Sequence, residues 1–200
     1  MKKFFVAALF AVASLFAGID SNAQSQFNKG DFALNLDYSL GQFQDRDFGW
    51  SSSSLSYTQH GVGILGEYGI MNVINSKGTI SVGGQIGFGF GGDGGDNDGY
   101  NDFDLFRFRI ATRGTLHYAF IPQIDTYAGL NFLFVDVNHW SSEYKDANGK
   151  KVKNSDSNVK FIEPRLVAGA RYMFSSAFGV NMEFSWDRFA FLAAGLSFKF

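Results

Sequence analysis

Residues 104–119 read DLFRFRIATRGTLHYA, and within this stretch apolar and charged side chains alternate. Phe106, Phe108 and Ile110 fall on one side of an extended chain, while Arg107 and Arg109 fall on the other. A period of two is typical of a β-strand, whose successive side chains point to opposite faces. The stretch therefore predicts a strand that separates an apolar environment from a charged one.

The same period recurs along the rest of the chain and predicts eight strands. Their ranges are 31–41, 57–70, 79–90, 104–119, 125–137, 160–174, 177–186 and 189–200. Long polar connections at 42–56, 91–103 and 138–159 alternate with short ones at 71–78, 120–124 and 175–176, and a tight hairpin at 187–188 follows on the side of the long connections. Short and long connections at opposite ends predict an all-β, antiparallel, up-and-down barrel of eight strands that spans a membrane.

The size of the apolar face decides which side of this barrel is outside. The apolar faces of the eight strands carry 35 large side chains, whereas the packed interior of an eight-stranded barrel holds about 12 in the TIM-barrel case. The large side chains must therefore face outward, and an apolar belt of this size requires lipid. The other face lines the lumen, where the predicted charge network consists of Asp37, Glu67, Arg107, Arg109, Arg113, Glu163, Arg165, Arg171 and Glu183.

Aromatic residues gather near both predicted ends of the lipid-facing strands. Tyr68, Tyr118, Tyr172, Phe174 and Phe178 lie beside the short connections, and Trp50, Tyr57, Phe103, Trp140 and Trp186 lie beside the long ones. Two such groups are typical of the girdles at membrane–water interfaces. Pro164 lacks a backbone donor, so we expect it near the outer rim, where strand pairing ends.

The first 23 residues have the features of a secretion signal. Lys2 and Lys3 precede an apolar stretch at 4–17, and small residues Ser21 and Ala23 precede Gln24. A positive start, a short apolar segment and a small-residue cleavage site predict a signal peptide at 1–23 and a barrel domain at 24–200. An amphipathic or anchoring helix is the alternative for this segment.

Composition excludes several classes of function. The chain has 200 residues, which suggests one domain. Cysteine is absent, which rules out disulfides and thiolate metal sites. With 17 basic and 19 acidic residues and no basic block, nucleic-acid binding has no electrostatic support.

The chain resembles the small eight-stranded outer-membrane barrels of the OmpA/OmpX type, over about residues 30–200. The resemblance rests on the strand pattern and on the ending GLSFKF, in which Leu196, Phe198 and the terminal Phe200 alternate. The SNAQ segment at 21–24 and the aromatic-rich strands are similar to barrels of the Bacteroidetes type. The resemblance implies the outer membrane of a Gram-negative bacterium, contact with outer-membrane lipid, and recognition of the C-terminal strand by the barrel assembly machinery.

Two groups of charged residues are candidates for chemistry. The lumen network is interpreted as a structural plug, because an eight-stranded interior is just wide enough for side chains to fill it; a gate or an ion path is the alternative. The segment GGDGGDNDGYNDFD at 91–104 contains five aspartates that suggest calcium binding. Its spacing departs from the EF-hand pattern, since Asp98 stands where glycine is required, so a solvated external loop is favoured.

The three histidines do not predict a metal site. His117 is expected to point into the lumen, His60 to point outward, and His139 to lie in or near the third long connection. The sequence His139-Trp140-Ser141 resembles, weakly, the His-x-Ser of outer-membrane lipid A deacylases, and Glu143 is the nearby carboxylate that would orient such a base.

The sequence thus predicts a non-enzymatic outer-membrane barrel without a cofactor. Its expected role is structural, or it presents the loops 42–56, 91–103 and 138–159 to an extracellular ligand. Residual strand edges above the membrane would bind partners by strand addition. A narrow solute channel and a lipid-modifying enzyme are the alternatives.

Overall fold

A computed structural model of the protein describes residues 27–44, 56–74, 77–93, 102–145, 148–160, 163–186 and 191–200. The predicted signal segment at 1–23, Trp50, the aspartates 96 and 98, and the tight hairpin at 187–188 lie outside these residues. The strands are β1 (Phe32–Gln44), β2 (Ser56–Val73), β3 (Gly78–Asp93), β4 (Asp102–Ile121), β5 (Ile124–Lys145), β6 (Lys151–Lys160), β7 (Glu163–Met173), β8 (Phe178–Ser185) and β9 (Leu192–Lys199).

The strands close into a ring in which sequence neighbours are spatial neighbours. Each strand from β1 to β5 pairs antiparallel with the next, β5 pairs with β7, and the pairing continues through β8 to β9. Pairing of β9 with β1 closes the ring. The predicted all-β barrel of eight antiparallel strands is confirmed. A ring of this kind leaves no open sheet edge within the membrane.

The segments β6 and β7 together form the sixth strand of the ring. Leu133 of β5 faces Glu163 of β7, and Asp136 of β5 faces Lys160 of β6, three residues further along both strands. The register is therefore continuous across positions 161–162. The sixth strand starts at Lys151, nine residues earlier than the sequence pattern predicts.

The prediction of a loop at 138–159 was wrong. In the structure most of this segment belongs to a β-hairpin, because β5 runs to Lys145 and pairs with β6 as far as Lys151. Pro164 does not mark the end of pairing either: it faces Phe132, and β6 extends the pairing well beyond it. Both faces of this hairpin are polar, so its strands show no apolar alternation that a sequence pattern could detect.

The two faces of the barrel have opposite character. Large apolar side chains stand exposed on the outside of seven of the eight strands of the ring and at Phe200, which directly follows β9; examples are Leu36, Ile64, Ile86, Ile110, Leu130, Leu166 and Phe184. On the inside the large side chains that are almost fully buried include Arg109, His117, Gln59 and Glu67. This inversion of an ordinary soluble core is the arrangement of a transmembrane β-barrel, and it agrees with the predicted sidedness.

An irregularity in β5 explains why one part of the sequence pattern misleads. Ile110 of β4 faces Val135 and Ala111 faces Leu133, so Phe134 is an extra residue in β5. A β-bulge of this kind reverses which alternate side chains face inward. Beyond it, Asp136, Asn138 and Trp140 are buried. The prediction that Trp140 belongs to a lipid-facing girdle was therefore wrong.

The remaining predicted girdle residues fall into three groups. Tyr68, Tyr172 and Trp186 are exposed on the outside, and Tyr118, Phe174 and Phe178 are partly exposed. The side chains of Tyr57 and Phe103 lie outside the described residues.

No helix in the described part of the chain is long and apolar enough to cross a bilayer.

Candidate functional site: the charge network of the lumen

Seven of the nine predicted lumen charges are buried inside the barrel: Asp37, Glu67, Arg107, Arg109, Arg113, Arg171 and Glu183. Arg165 is partly buried on β7, where it faces the inward Asn131. Glu163 belongs to β7, but its side chain lies outside the described residues. We call the end of the barrel that carries Asp31, Ile74, Lys77, Phe200 and the turn at 122–123 the short-turn end. The opposite end, which carries the β5–β6 hairpin, is the hairpin end.

Glu67 of β2 is the centre of a charge cluster near the short-turn end. Its carboxylate accepts a hydrogen bond from Arg171 Nη2 and another from Thr115 Oγ1 at 2.8 Å. Arg113 Nη1 lies 3.6 Å from the same carboxylate, and His117 Nε2 lies 3.7 Å from it. With only 1% of its surface exposed, Glu67 depends on these partners, because an uncompensated buried charge is strongly destabilising.

Arg113 connects Glu67 to the opposite wall. Its Nη2 donates to Glu183 Oε1 of β8 at 2.7 Å, and its Nε donates to Asn131 Oδ1 at 2.9 Å. Tyr127 OH donates to the other oxygen of Glu183 at 3.1 Å. Strands that are far apart around the ring are thereby joined through its interior.

Arg171 and His117 share the remaining carboxylate of the cluster. Arg171 Nη1 donates to Asp125 Oδ2 at 3.1 Å, and His117 Nδ1 lies 2.9 Å from the same oxygen. The charge cluster thus consists of Glu67, Arg113, His117, Asp125, Arg171 and Glu183. The sequence pattern did not single out Asp125 as a charge partner, because Asp125 is the second residue of β5, where the alternation of apolar and polar residues has only begun.

A second ion pair lies nearer the hairpin end. Arg107 Nη2 donates to Asp136 Oδ2 at 2.8 Å, and Arg107 Nη1 donates to Gln59 Oε1 at 3.3 Å. Asp136 was missed by the sequence analysis because the bulge at Phe134 turns it inward. Between the two groups, Asn181 Nδ2 donates to Asp37 Oδ1 at 2.6 Å.

Glycines on β3 make room for the arginines of β4. Gly89 faces Arg107, Gly87 faces Arg109 and Gly83 faces Arg113 in the pairing of the two strands. A strand position without a side chain permits the close approach of another group. Gly83 shows this packing directly, since a Cβ there would lie 3.2 Å from Cγ of Arg113.

We predict that Gly83→Ala destabilises the barrel, whereas Gly84→Ala does not. A Cβ at Gly83 would lie 2.5 Å from Gly66 O and 2.9 Å from Glu67 Cγ, while a Cβ at Gly84 meets only Ala111 O at 3.9 Å. Overpacking of this kind costs about 1–3 kcal/mol. Urea unfolding in lipid vesicles measures the difference, and equal midpoints for the two variants would show that Gly83 is not needed for the charge cluster.

Little space remains in the middle of the lumen. A cavity of about 10 Å³ lies between Asp37, Arg109 and Glu183, with Gly63 and Gly87 in its wall. That volume holds about one water molecule. At this level of the lumen the described side chains therefore pack closely.

The three histidines lie in three different environments. His60 lies outside and accepts or donates a hydrogen bond with Tyr38 OH at 2.5 Å, and His117 belongs to the charge cluster. His139 is an exposed residue of β5, and its Nδ1 lies 2.9 Å from Ser157 Oγ of β6. The hydroxyl partner of His139 is thus Ser157 rather than the Ser141 of the His-x-Ser pattern.

Within the described ranges, no group of His, Asp and Glu is arranged to hold a metal ion.

The segment before β1 covers the short-turn end. Residues 27–31, which we call the strap, are held by backbone hydrogen bonds from Gly30 N to Gly69 O at 2.8 Å and from Gly69 N to Asp31 O at 2.9 Å. Phe27 is 2% exposed. Its ring centroid lies 4.5 Å from that of His117 and 5.5 Å from the guanidinium carbon of Arg171. The strap had no signal in the sequence, because one aromatic residue outside a strand has no periodicity.

The β5–β6 hairpin extends far from the barrel. β5 has 22 residues, twice the ~9–11 that cross a bilayer. β8 pairs with β7 from Met173 to Val167, and one further hydrogen bond runs from Trp186 N to Leu166 O at 2.8 Å. Of the described strands only β5 pairs with β6. The ten residues of β6, about 33 Å of extended chain, thus form the margin of this sheet. Near its tip, a hydrogen bond from Lys151 and the charge of that ammonium lower the pKa of the Glu143 carboxyl.

No protein-family model matches the chain, and no curated protein matches its sequence. Among solved structures, Ail, the attachment invasion locus protein of Yersinia pestis in complex with the heparin analogue sucrose octasulfate, is 13% identical, with a TM-score of 0.48 over 86% of this chain and 99% of its own. A de novo designed transmembrane β-barrel is 14% identical, with a TM-score of 0.45 over 88% and 98%. Neisserial surface protein A is 13% identical, with a TM-score of 0.40 over 86% and 95%.

Proposed function

We propose that this protein is a non-enzymatic barrel of the outer membrane of a Gram-negative bacterium, and that it presents the β5–β6 hairpin as a rigid binding element on the cell surface. The observation that carries the proposal is the continuous register of β5 with β6 and β7 from Ile124 to Lys145. The hairpin is a direct extension of two barrel strands. Its position is therefore fixed by the closed ring below it.

The lumen supports a structural role for the barrel itself. Paired charges fill the interior at two levels, and the cavity between them holds about one water molecule. A packed lumen favours a plug over a solute channel. In planar bilayers the purified protein is then silent, whereas steady unitary conductance would favour the channel.

The surroundings of His139 support the non-enzymatic reading. A catalytic serine needs a base, and that base needs a third group to orient it. Ser157 lies beside His139, but the carboxylate of Asp156 accepts its hydrogen bond from the backbone N–H of Ser157. Glu143 is paired with Lys151 instead.

The margin of β6 offers a place for a partner to bind. A strand with one unpaired edge adds an extended peptide through main-chain hydrogen bonds, and alternate side chains give specificity. The exposed residues Lys151 and Lys153 occupy alternate positions of this strand. The partner that fits is an extended chain with two acidic residues at alternate positions, opposite Lys151 and Lys153.

Cell-surface labelling tests the presentation of the hairpin. The natural chain has no cysteine, so Asn148→Cys places a single thiol at the exposed hairpin tip and Lys77→Cys places one at the exposed short-turn end. A membrane-impermeant maleimide should label the first on intact cells and the second only after permeabilisation. Labelling of Lys77→Cys alone on intact cells would contradict the proposed orientation.

The same cells test the binding role. A fluorescent ten-residue peptide of alternating threonine and glutamate is the probe. It should bind cells that carry the wild-type chain and should lose binding to the double variant Lys151→Gln, Lys153→Gln. Equal binding to both would show that β6 does not recognise acidic chains.

A further inference from the structure

The described contacts that attach the strap to the barrel can be broken without opening the ring. It precedes β1, and the pairings that close the barrel all begin at or after Phe32. Besides its two backbone bonds to Gly69, Lys29 N donates to Asn72 Oδ1 at 2.7 Å, and Thr79 Oγ1 donates to Phe27 O at 2.6 Å. Segments held by few contacts open at much lower free energy than the whole fold.

The apolar tip of the strap is placed directly against the charge cluster. Phe27 packs on both His117 and Arg171 from the strap, and the buried Tyr127 packs on the same two residues from β5. Phe32, Tyr68 and Phe200 of this end are exposed on the outside. An aromatic ring over a guanidinium gains cation–π attraction and also excludes water. Excluding water strengthens every ion pair below the ring, because the local dielectric constant falls.

We propose that the strap is a reversible stopper of the barrel. With Phe27 inserted, water at the short-turn end is kept from the charge cluster. When the strap withdraws, that end of the lumen opens and the cluster becomes hydrated. The two states differ in the position of the strap at the short-turn end. The ring of strands is the same in both.

One glycine shows how closely the strap is fitted. A Cβ at Gly69 would lie 2.1 Å from Asn28 O. The strap reaches its observed position only because residue 69 has no side chain. Gly69→Ala therefore provides a way to displace the strap from the barrel side while Phe27 remains unchanged.

A cysteine introduced at a buried position reports whether the strap is inserted or withdrawn. Ser81 is fully buried, and its Oγ lies 3.1 Å from Nε2 of the His117 ring on which Phe27 packs. In the cysteine-free chain, Ser81→Cys is the sole target for a water-soluble methanethiosulfonate reagent, applied to the barrel refolded in detergent micelles. Labelling should be slow while the strap is in place. Phe27→Ala should accelerate it by about tenfold or more, because the opening of a local segment then costs less.

Two further variants separate a stopper from general loosening of the barrel. Gly69→Ala should accelerate labelling of the Ser81→Cys thiol as Phe27→Ala does. Phe32→Ala removes a ring of the same size from the outer face, where Phe32 is 41% exposed, and should leave the rate unchanged. Heat-modifiable migration on a gel checks that each variant is folded. An unchanged rate in both Phe27→Ala and Gly69→Ala, or equal acceleration by Phe32→Ala, would overturn the proposal.

Discussion

Replacement of Glu67 by glutamine is expected to lower the free energy of unfolding in lipid vesicles by about 3–5 kcal/mol, the cost of breaking a buried ion pair. Glutamine has the shape of glutamate but no charge. Arg171 and Arg113 would then share only Asp125 and Glu183 as carboxylate partners. In addition, the amide has only one oxygen, so its NH₂ would face either Arg171 or Arg113, and two donors would then stand against each other.

The matched control for this substitution is Glu143→Gln. Glu143 is also paired with a cation, but its partner Lys151 has a side chain that is 70% exposed. Exposed pairs contribute little, because water solvates the partner that remains. Urea unfolding should therefore leave the midpoint of Glu143→Gln near that of the wild type. If Glu67→Gln were equally harmless, the charge cluster would not stabilise the barrel.

Ile86→Arg is expected to destabilise the barrel by about 2–4 kcal/mol, the cost of a basic side chain that faces lipid near the bilayer midplane. Ile86 lies near the middle of β3 and is 47% exposed. Its cross-strand neighbours Ile64 and Ile110 are exposed on the same side. Its facing residues on both neighbouring strands are apolar, so an arginine at this position has no carboxylate directly across from it.

Ile86→Leu is the control, because it keeps the apolar character and volume of the side chain. The free energy of unfolding is measured for both variants in the same vesicles. The free energy of unfolding should be lower for Ile86→Arg and close to the wild-type value for Ile86→Leu. A wild-type midpoint for Ile86→Arg would show that this face of β3 does not contact lipid.

The sequence was a good guide where a strand has one apolar and one polar face. This condition holds for β1 to β4, and the alternation predicted both their existence and their inward residues, such as Asp37, Glu67 and Arg113. The large apolar set also predicted which side faces out, since it exceeds what the interior can hold. Side-chain periodicity carries this information because lipid and lumen lie on opposite sides of every strand.

The sequence failed where water lies on both sides of the sheet. Residues 141–145 and 151–157 are mostly polar at both parities, so they resemble a loop although they form paired strands. The bulge at Phe134 was also invisible, because an extra residue changes the phase of the pattern without altering its composition. Trp140 and Asp136 were misplaced or missed for this reason.

Sequence patterns could not predict which residues pair with each other inside the lumen. Glu67 and Arg171 are 104 positions apart, and they meet only because the ring closes between β9 and β1. Which arginine pairs with which carboxylate depends on the stagger of all eight strands. Phe27 lies outside every strand, so its position in the short-turn end follows from the hydrogen bonds of the strap and from its packing on His117 and Arg171.

The central claim is that the apolar side chains coat the barrel while the arginines and carboxylates are enclosed. Photoactivated labelling from the tails of diazirine-bearing lipids tests it on the unmodified protein, with the labelled positions in residues 104–119 located by mass spectrometry. The structure predicts label on Phe106, Phe108 and Ile110 and none on Arg107 or Arg109. Label on the two arginines with none on the three apolar residues would contradict it.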